Sequence, residues 1–122
     1  MTRIDELRPD EYFVFGSNLL GQHLGGAARD AHRLFSAEMG IGEGITGQCY
    51  ALPTLDTDFA KRSLEDIQAS VWRLFQQARN WPHRRFLITP VGCGIAGFTT
   101  DQIAPLFKGA PANCIFLDDW NK

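Results

Sequence analysis

Short apolar runs alternate along the chain with stretches in which apolar residues recur every three or four positions. The first run, residues 12–15, stops at Gly16-Ser17-Asn18 and predicts a strand that is buried on both faces. A glycine-rich stretch follows, and the apolar residues after it have the spacing of a helix over about residues 26–38. The predicted order therefore begins with a strand, a glycine-rich loop and a helix.

The rest of the chain repeats this alternation. After a second glycine-rich connection at residues 40–47, the pattern predicts these elements in order: a strand over residues 48–52 closed by Pro53, a helix that begins after Ser63 and ends before Trp81, a strand over residues 86–89, a short helix capped by Thr100, and a strand over residues 114–117. On the long helix Trp72 is expected to cover the core, as is Trp81 just after it.

Strands that alternate with helices, and apolar runs without an inside–outside alternation, predict an α/β fold. We expect a largely parallel or mixed sheet covered by helices, in a three-layer α/β/α arrangement and a single domain over residues 1–122. In such sheets ligands bind where loops leave the carboxyl ends of the strands. Two glycine-rich loops have that position, residues 16–26 and residues 92–97.

Composition narrows the class of protein. With 122 residues, 44% hydrophobic and 21% charged, the chain has the composition of a globular protein, and no apolar stretch is long enough to span a bilayer. The formal net charge of −2 gives no footprint for general nucleic-acid binding. The N-terminus lacks the apolar core of a signal peptide, and three cysteines without CxxC spacing are expected to be reduced thiols in a cytoplasmic protein. No metal or cofactor is expected.

The loop "VGCGIAGF" at residues 91–98 raises three interpretations. Gly92, Gly94 and Gly97 fit G-x-G-x-x-G, but a Rossmann domain has this motif after its first strand, whereas here most predicted strands precede it. Glycines also let several N–H groups converge on one anion, which suits a diphosphate and needs no basic residue. The alternative is a tight turn without a ligand.

Cys93 stands in the middle of this loop, where a following helix could lower the pKa of its thiol. A nucleophile also needs a base, and His23, His32 and His83 all lie far from Cys93 in sequence. We therefore expect Cys93 to be a small residue that packs beside a ligand, and His23 to be an exposed loop residue.

Three stretches share features with one known family. The stretch "FVFGSNLLGQHLGGAARDAH" has a strand that ends in a small-residue turn with asparagine and continues through Leu-Leu-Gly and a glycine-rich loop into an Ala- and His-containing helix. "GQCYALP" contains a Tyr-x-Leu-Pro-like motif, and "ITPVGCGIAGF" contains a small-residue pair followed by Gly-Ile-x-Gly-Phe. Together, and in this order, these stretches resemble the macrodomains, of which this chain would be a short and divergent member.

The resemblance implies a site for ADP-ribose or a related nucleotide. Asn18 would approach the distal ribose, and the loop around Gly94 would wrap the diphosphate. Thr54 and Asp56, just after the second predicted strand, are further candidates for contacts with hydroxyl groups. The implied ligand-binding residues are Gly16, Ser17, Asn18, Gly25, Gly26, Ala27, Pro53, Thr54, Gly92, Cys93, Gly94, Ile95, Ala96, Gly97 and Phe98.

Two departures separate the chain from hydrolytic macrodomains. The Gly-Asp-Ile element that supplies an adenine-binding aspartate is missing, and Ala28 stands where many hydrolytic members have an aspartate. Asp30 follows two residues later and should point away from that face. The leading hypothesis is therefore binding of ADP-ribose or a related nucleotide diphosphate.

Two other functions are kept as hypotheses. One is ADP-ribosyl hydrolysis, with Asn18 as the catalytic candidate and an ADP-ribosylated macromolecule as the partner. The other is a protein-interaction or immunity-type module that keeps the fold with a vestigial pocket.

Overall fold

The computed structural model describes residues 4–122 and shows a mixed α/β fold. Within this range five strands form one sheet, which three α-helices and two short 3-10 helices accompany. The strands are β1 (Glu11–Asn18), β2 (Gly44–Thr46), β3 (Cys49–Leu55), β4 (Arg85–Ile88) and β5 (Cys114–Phe116). The helices are α1 (Gly26–Leu34), α2 (Leu64–Asn80) and α3 (Thr100–Ile103), and the 3-10 segments are Ala104–Phe107 and Leu117–Asp119. The predicted fold class is confirmed.

The strand order is β2-β3-β1-β4-β5, with β1 at the centre. β1 pairs in parallel with β3 and with β4, and β4 pairs in parallel with β5. Only β2 runs antiparallel, against the first half of β3. Because β1, β3 and β4 run in the same direction, the loops that follow them all leave from one edge of the sheet.

Helices cover both faces of the sheet. Successive residues of a strand point to opposite faces, so each strand contributes to two clusters. Phe13 and Phe15 of β1 pack with α1 in one buried cluster, whereas Val14 packs with α2 in the other. The side chains of the α1 cluster include several alanines, so this layer is thin. The α2 cluster continues through α3 and the 3-10 segment after it to β5. This arrangement matches the predicted three layers.

The first helix is shorter than predicted. It ends at Leu34, because Phe35 leaves the helical conformation and Ser36 has a φ of +67°. Phe35 and Ala37 still pack into the α1 cluster, which explains why their apolar character extended the helical pattern to residue 38. The predicted helix was therefore right about its start and wrong about its end.

The strand boundaries also differ from the sequence pattern. β1 continues through Gly16-Ser17-Asn18, since these residues pair with β3. β2 was missed, because its three residues lie inside the glycine-rich connection. Pro53 lies within β3 instead of closing it. It comes after the residues of β3 that pair with β2, which are Cys49, Tyr50 and Ala51. The missing N–H of Pro53 therefore leaves no carbonyl of β2 unpaired.

The helix starts follow local hydrogen bonding. The Ser63 hydroxyl accepts from the Asp66 N–H at 3.0 Å, which confirms the predicted cap of α2. The cap of α3 is Thr99, one residue before the prediction, and Gln102 completes a capping box with it. Trp72 was expected to cover the core but is 63% exposed, because it lies off the buried stripe of α2.

Two substitutions on α2 should have different effects on the free energy of unfolding, because one is on its buried stripe and the other on its exposed face. Leu74→Ala removes a fully buried side chain and should lower the free energy of unfolding by about 2–5 kcal/mol. Trp72→Ala removes a larger but exposed side chain and should change it by no more than about 0.5 kcal/mol. Urea denaturation of both variants measures these changes, and a larger loss for Trp72→Ala would contradict the described packing.

Candidate functional site

A cavity of about 530 Å³ lies at the carboxyl edge of β1, β3 and β4. Its volume is within the range of small-molecule sites. Four segments line it, and the lining residues are Gly16, Ser17, Asn18, Gln22, Leu24, Gly25, Gly26, Ala27, Ala28, Thr54, Leu55, Phe59, Thr89, Pro90, Val91, Gly92, Cys93, Gly94, Ile95 and Ala96. The two glycine-rich loops thus face the same space.

The loop after β4 is folded by its own backbone. The Cys93 N–H donates to the Pro90 carbonyl at 3.2 Å, and the Phe98 N–H donates to the Gly92 carbonyl at 2.8 Å. Gly92 has a φ of +76°, and a Cβ there would stand 3.1 Å from the Phe98 ring, so this turn requires glycine. Gly94 has no such constraint, and a Cβ on it would meet nothing within 4 Å.

Four N–H groups of this loop are left over. Those of Gly92, Gly94, Ile95 and Ala96 donate no hydrogen bond to any residue in the range 4–122. All four residues line the cavity. Consecutive unpaired N–H groups in a tight loop form a concave surface that favours anions.

The start of α1 adds further donors to the same cavity. Gly25 precedes the helix in an extended conformation and supplies no side-chain cap. The first helical bond near this end is from the Arg29 N–H to the Gly25 carbonyl, so the N–H groups of Gly26, Ala27 and Ala28 have no partner among the described residues. A Cβ on Gly25 would be 3.7 Å from Ile95 Cδ1, so the two loops approach each other across the cavity.

Asn18 closes the turn that follows β1. Its side-chain oxygen accepts from the Gln22 N–H at 3.0 Å, and its side-chain nitrogen donates to the Gln22 carbonyl at 2.9 Å. The residue is buried, with an exposure of 7%. Asn18 therefore shapes the first loop, and its suggested part in catalysis stays a prediction.

The polar side chains on the floor of the cavity are already engaged. Ser17 Oγ donates to the Gly42 carbonyl at 2.5 Å, and Thr89 Oγ1 donates to the Val14 carbonyl at 2.8 Å. Thr54 Oγ1 makes a longer contact of 3.5 Å with the Ser17 carbonyl. Main-chain groups thus supply most of the unsatisfied polar atoms at this site.

No Asp, Glu, Lys, Arg or His is among the lining residues. Lys61 is nearby, and its Nζ lies 4.4 Å from the centre of the Phe98 ring. Neither Lys61 nor Phe98 lines the cavity. Asp30 does not line it either, and Ala28 does. The lining of the cavity is therefore neutral apart from the backbone dipoles, and one ammonium group lies beside the loop after β4.

Cys93 is half-buried at the cavity wall, with Sγ 3.6 Å from the Val91 carbonyl. Burial raises the pKa of the Cys93 thiol above its ordinary value. A nucleophilic cysteine needs the opposite shift, since the thiolate is the reactive form. This direction favours the interpretation of Cys93 as a packing residue.

Most of the residues suggested by sequence come together here. Of those fifteen, Pro53, Gly97 and Phe98 do not line the cavity: Pro53 is buried in β3, and Phe98 packs into the α2 core beneath the loop. Asp56 also lies outside it, with its carboxylate in a turn. Eight lining residues were not among the fifteen: Gln22, Leu24, Ala28, Leu55, Phe59, Thr89, Pro90 and Val91. Six of them lie within the stretches that resemble macrodomains, whereas Leu55 and Phe59 lie outside those stretches and no local motif identifies them.

His23 was expected to be exposed, but only 1% of it is accessible. Its ring lies edge-on to Phe15 at 5.1 Å, and Nε2 donates to the Glu38 carbonyl at 2.8 Å. Glu38 and Met39, which lie fifteen and sixteen residues later, contact it, and a local pattern cannot reveal such contacts. His23 is thus part of the support beneath the first loop.

Across residues 4–122 no cluster of three or more His, Cys, Asp or Glu side chains is arranged to hold a metal ion. None of the helices in that range is both long and apolar enough to cross a bilayer. Cys49, Cys93 and Cys114 are free thiols.

Comparisons with protein-family models, curated proteins and solved structures find no match to this chain.

The buried His23 makes stability depend on pH. Desolvation by burial lowers the pKa of His23 from its ordinary value, so below about pH 6.5 the unfolded chain takes up a proton that the folded chain does not. Stability from this group is complete above that pH and decreases as the pH falls toward the lowered pKa. Urea denaturation between pH 7.5 and pH 5.5 should show this loss.

His23→Gln is the matched variant, because glutamine keeps an N–H donor for Glu38 and does not titrate. Its stability should change less than that of the wild type over the same pH interval. Parallel pH profiles for the two proteins would contradict the assignment to His23.

Proposed function

We propose that this protein binds ADP-ribose or a related nucleotide diphosphate in the cavity between its two glycine-rich loops. The observation that carries the proposal is that two sets of unpaired N–H groups lie around a single cavity. One set is in the loop after β4, at Gly92, Gly94, Ile95 and Ala96, and the other is at the start of α1. A diphosphate has two charged groups that these sets can hold together. The resemblance to macrodomains adds the ribose and the base.

The energetics favour an anion without a basic side chain. A hydrogen bond from a protein N–H to a charged group contributes about 1.5–3 kcal/mol, and a few such bonds suffice for a stable complex. The amino end of α1 adds its positive dipole, which favours phosphate at the same place. No carboxylate lines the cavity, so no side chain of the wall repels the charges of the ligand.

Binding is favoured over hydrolysis as the function of the site. A general acid or base must reach the reacting atoms, and neither a carboxylate nor an imidazole lines the cavity. The side chain of Asn18 is held by Gln22, which gives it a positioning role in the loop. ADP-ribosyl hydrolysis and a role in protein interaction stay predictions.

Gly94 offers the sharpest test of the proposal, because a Cβ there would meet no protein atom within 4 Å. Gly94→Glu should weaken ADP-ribose binding at least about tenfold, or ~1.4 kcal/mol, since it adds a negative charge to the anion loop. Calorimetry with ADP-ribose, NAD, ADP and cyclic ADP-ribose measures the affinity, and the melting temperature should stay that of the wild type.

Gly94→Gln is the matched control, with nearly the same size and no charge. It should lose less affinity than Gly94→Glu, which separates repulsion from steric blocking. The proposal fails if the wild type binds no member of the panel, or if the glutamate variant binds as tightly as the wild type.

Cys93→Ser tests whether the thiol has a chemical role. Serine is close in size, and the thiol makes only a weak hydrogen bond, so ADP-ribose affinity should stay within about tenfold of the wild type, or ~1.4 kcal/mol. Calorimetry gives the affinity, and intact-mass spectrometry after incubation with ligand should show no adduct. An adduct on the wild type that is absent from the serine variant would make Cys93 a nucleophile.

A further inference from the structure

The turn between β3 and α2 places an aromatic side chain at the cavity. Phe59 lines the cavity and is 51% exposed, and it belongs to neither buried cluster. Its ring therefore contributes little to the core. Packing within the protein does not explain why a phenylalanine stands here.

The backbone of Phe59 is also unfavourable for such a residue. Its φ is +60°, in the left-handed region that glycine and asparagine occupy readily and bulky side chains rarely do. Conformations of this kind persist where the surroundings impose them, and they concentrate at ligand sites. A glycine or asparagine would relieve the strain, but it would remove the ring.

Hydrogen bonds to Asp56 impose this conformation. The Asp56 carboxylate accepts from the N–H groups of Asp58 at 2.8 Å and Ala60 at 3.0 Å. The Phe59 N–H donates to the Asp56 carbonyl at 3.1 Å, and the Asp56 N–H donates to the Ala60 carbonyl at 2.8 Å. Four hydrogen bonds thus fix the main chain of the turn before any ligand binds, and with it the point from which the Phe59 side chain extends.

The rest of the cavity shows what such a ring can contact. Leu24 and Ile95 also line the cavity and are 70% and 83% exposed, so apolar side chains lie on three of its segments. The unpaired N–H groups of Gly92, Gly94, Ile95 and Ala96 lie on one of the same segments, and those of residues 26–28 lie on another. A ligand that satisfies both features combines an anionic group with a flat apolar ring.

We infer that Phe59 is a stacking platform for the planar base of the nucleotide whose phosphates the glycine-rich loops hold. The inference rests on the proposed function and deepens it by assigning the residue that contacts the base. Aromatic side chains stack on any base, because every base has a π face. The platform therefore favours nucleotides over sugar phosphates and discriminates little between one base and another.

The test compares ADP-ribose binding by the wild type with that of three variants at Phe59. Phe59→Ala should bind about tenfold more weakly, and Phe59→Tyr, which keeps the ring, should bind within about threefold of the wild type. Phe59→Asn should lose affinity like the alanine variant while its melting temperature stays the same or rises, because asparagine tolerates the left-handed conformation. A merely structural role would lower both quantities together.

NMR gives a second readout that does not depend on affinity alone. On binding to the wild type, the adenine protons of ADP-ribose should shift upfield through the ring current of Phe59, and Phe59→Leu should abolish this shift. Trp72→Ala, which removes an exposed aromatic ring away from the cavity, is the matched control and should change neither readout.

The outcomes separate this inference from the proposed function. If the wild type binds ADP-ribose and Phe59→Ala binds it equally well, or if the adenine protons do not shift, the platform is overturned and the proposed function stands. If the wild type binds none of ADP-ribose, NAD, ADP and cyclic ADP-ribose, both are overturned. A loss shared by the alanine and asparagine variants, with the tyrosine variant intact, supports the platform.

Discussion

The close approach of the loop after β4 to β1 depends on the missing side chain of Gly16. A Cβ at this position would stand 3.2 Å from the Gly92 nitrogen, which is tighter than ordinary packing, and 3.6 Å from the Val91 Cα, which is an ordinary contact. Since β1 is the central strand, this contact sets how deep the loop lies at the edge of the sheet. The second wall follows from the same strand, because the turn held by Asn18 leaves β1 two residues later. Both walls of the cavity are thus positioned by the same end of β1, where Gly16 lies.

The site relies on main-chain atoms, and this has a physical consequence for recognition. Backbone N–H groups do not titrate, and their positions are set by the fold and not by rotamers. A ligand therefore meets a rigid set of donors, so little side-chain entropy is lost on binding. Specificity within the class of phosphorylated ligands must then come from the apolar residues and from the shape of the cavity.

The sequence predicted the parts of this structure that are encoded locally. The runs in β1, β3 and β4, the Ser63 cap of α2 and the two glycine-rich loops are visible as short patterns, and the parallel order then brings the loops to one edge. The burial of His23 was not predictable, because the segment that covers it begins more than ten residues later. Phe59 was missed for a similar reason, since its place at the cavity depends on where β3 ends and on the turn made by Asp56.

The two layers of helices differ greatly in depth, and the cavity joins them. α1 has nine residues and buries chiefly alanines, whereas α2 has seventeen residues and buries large aliphatic and aromatic side chains. The thin layer should open locally at a lower free energy than the thick one, with faster amide exchange in α1 than in α2. One wall of the cavity includes the start of α1, and another includes Val91 and Ala96, which belong to the α2 cluster. A ligand that contacts both walls ties the less stable part of the molecule to the more stable part. Occupancy would then suppress opening of α1 far more than it changes the exchange of the central strands.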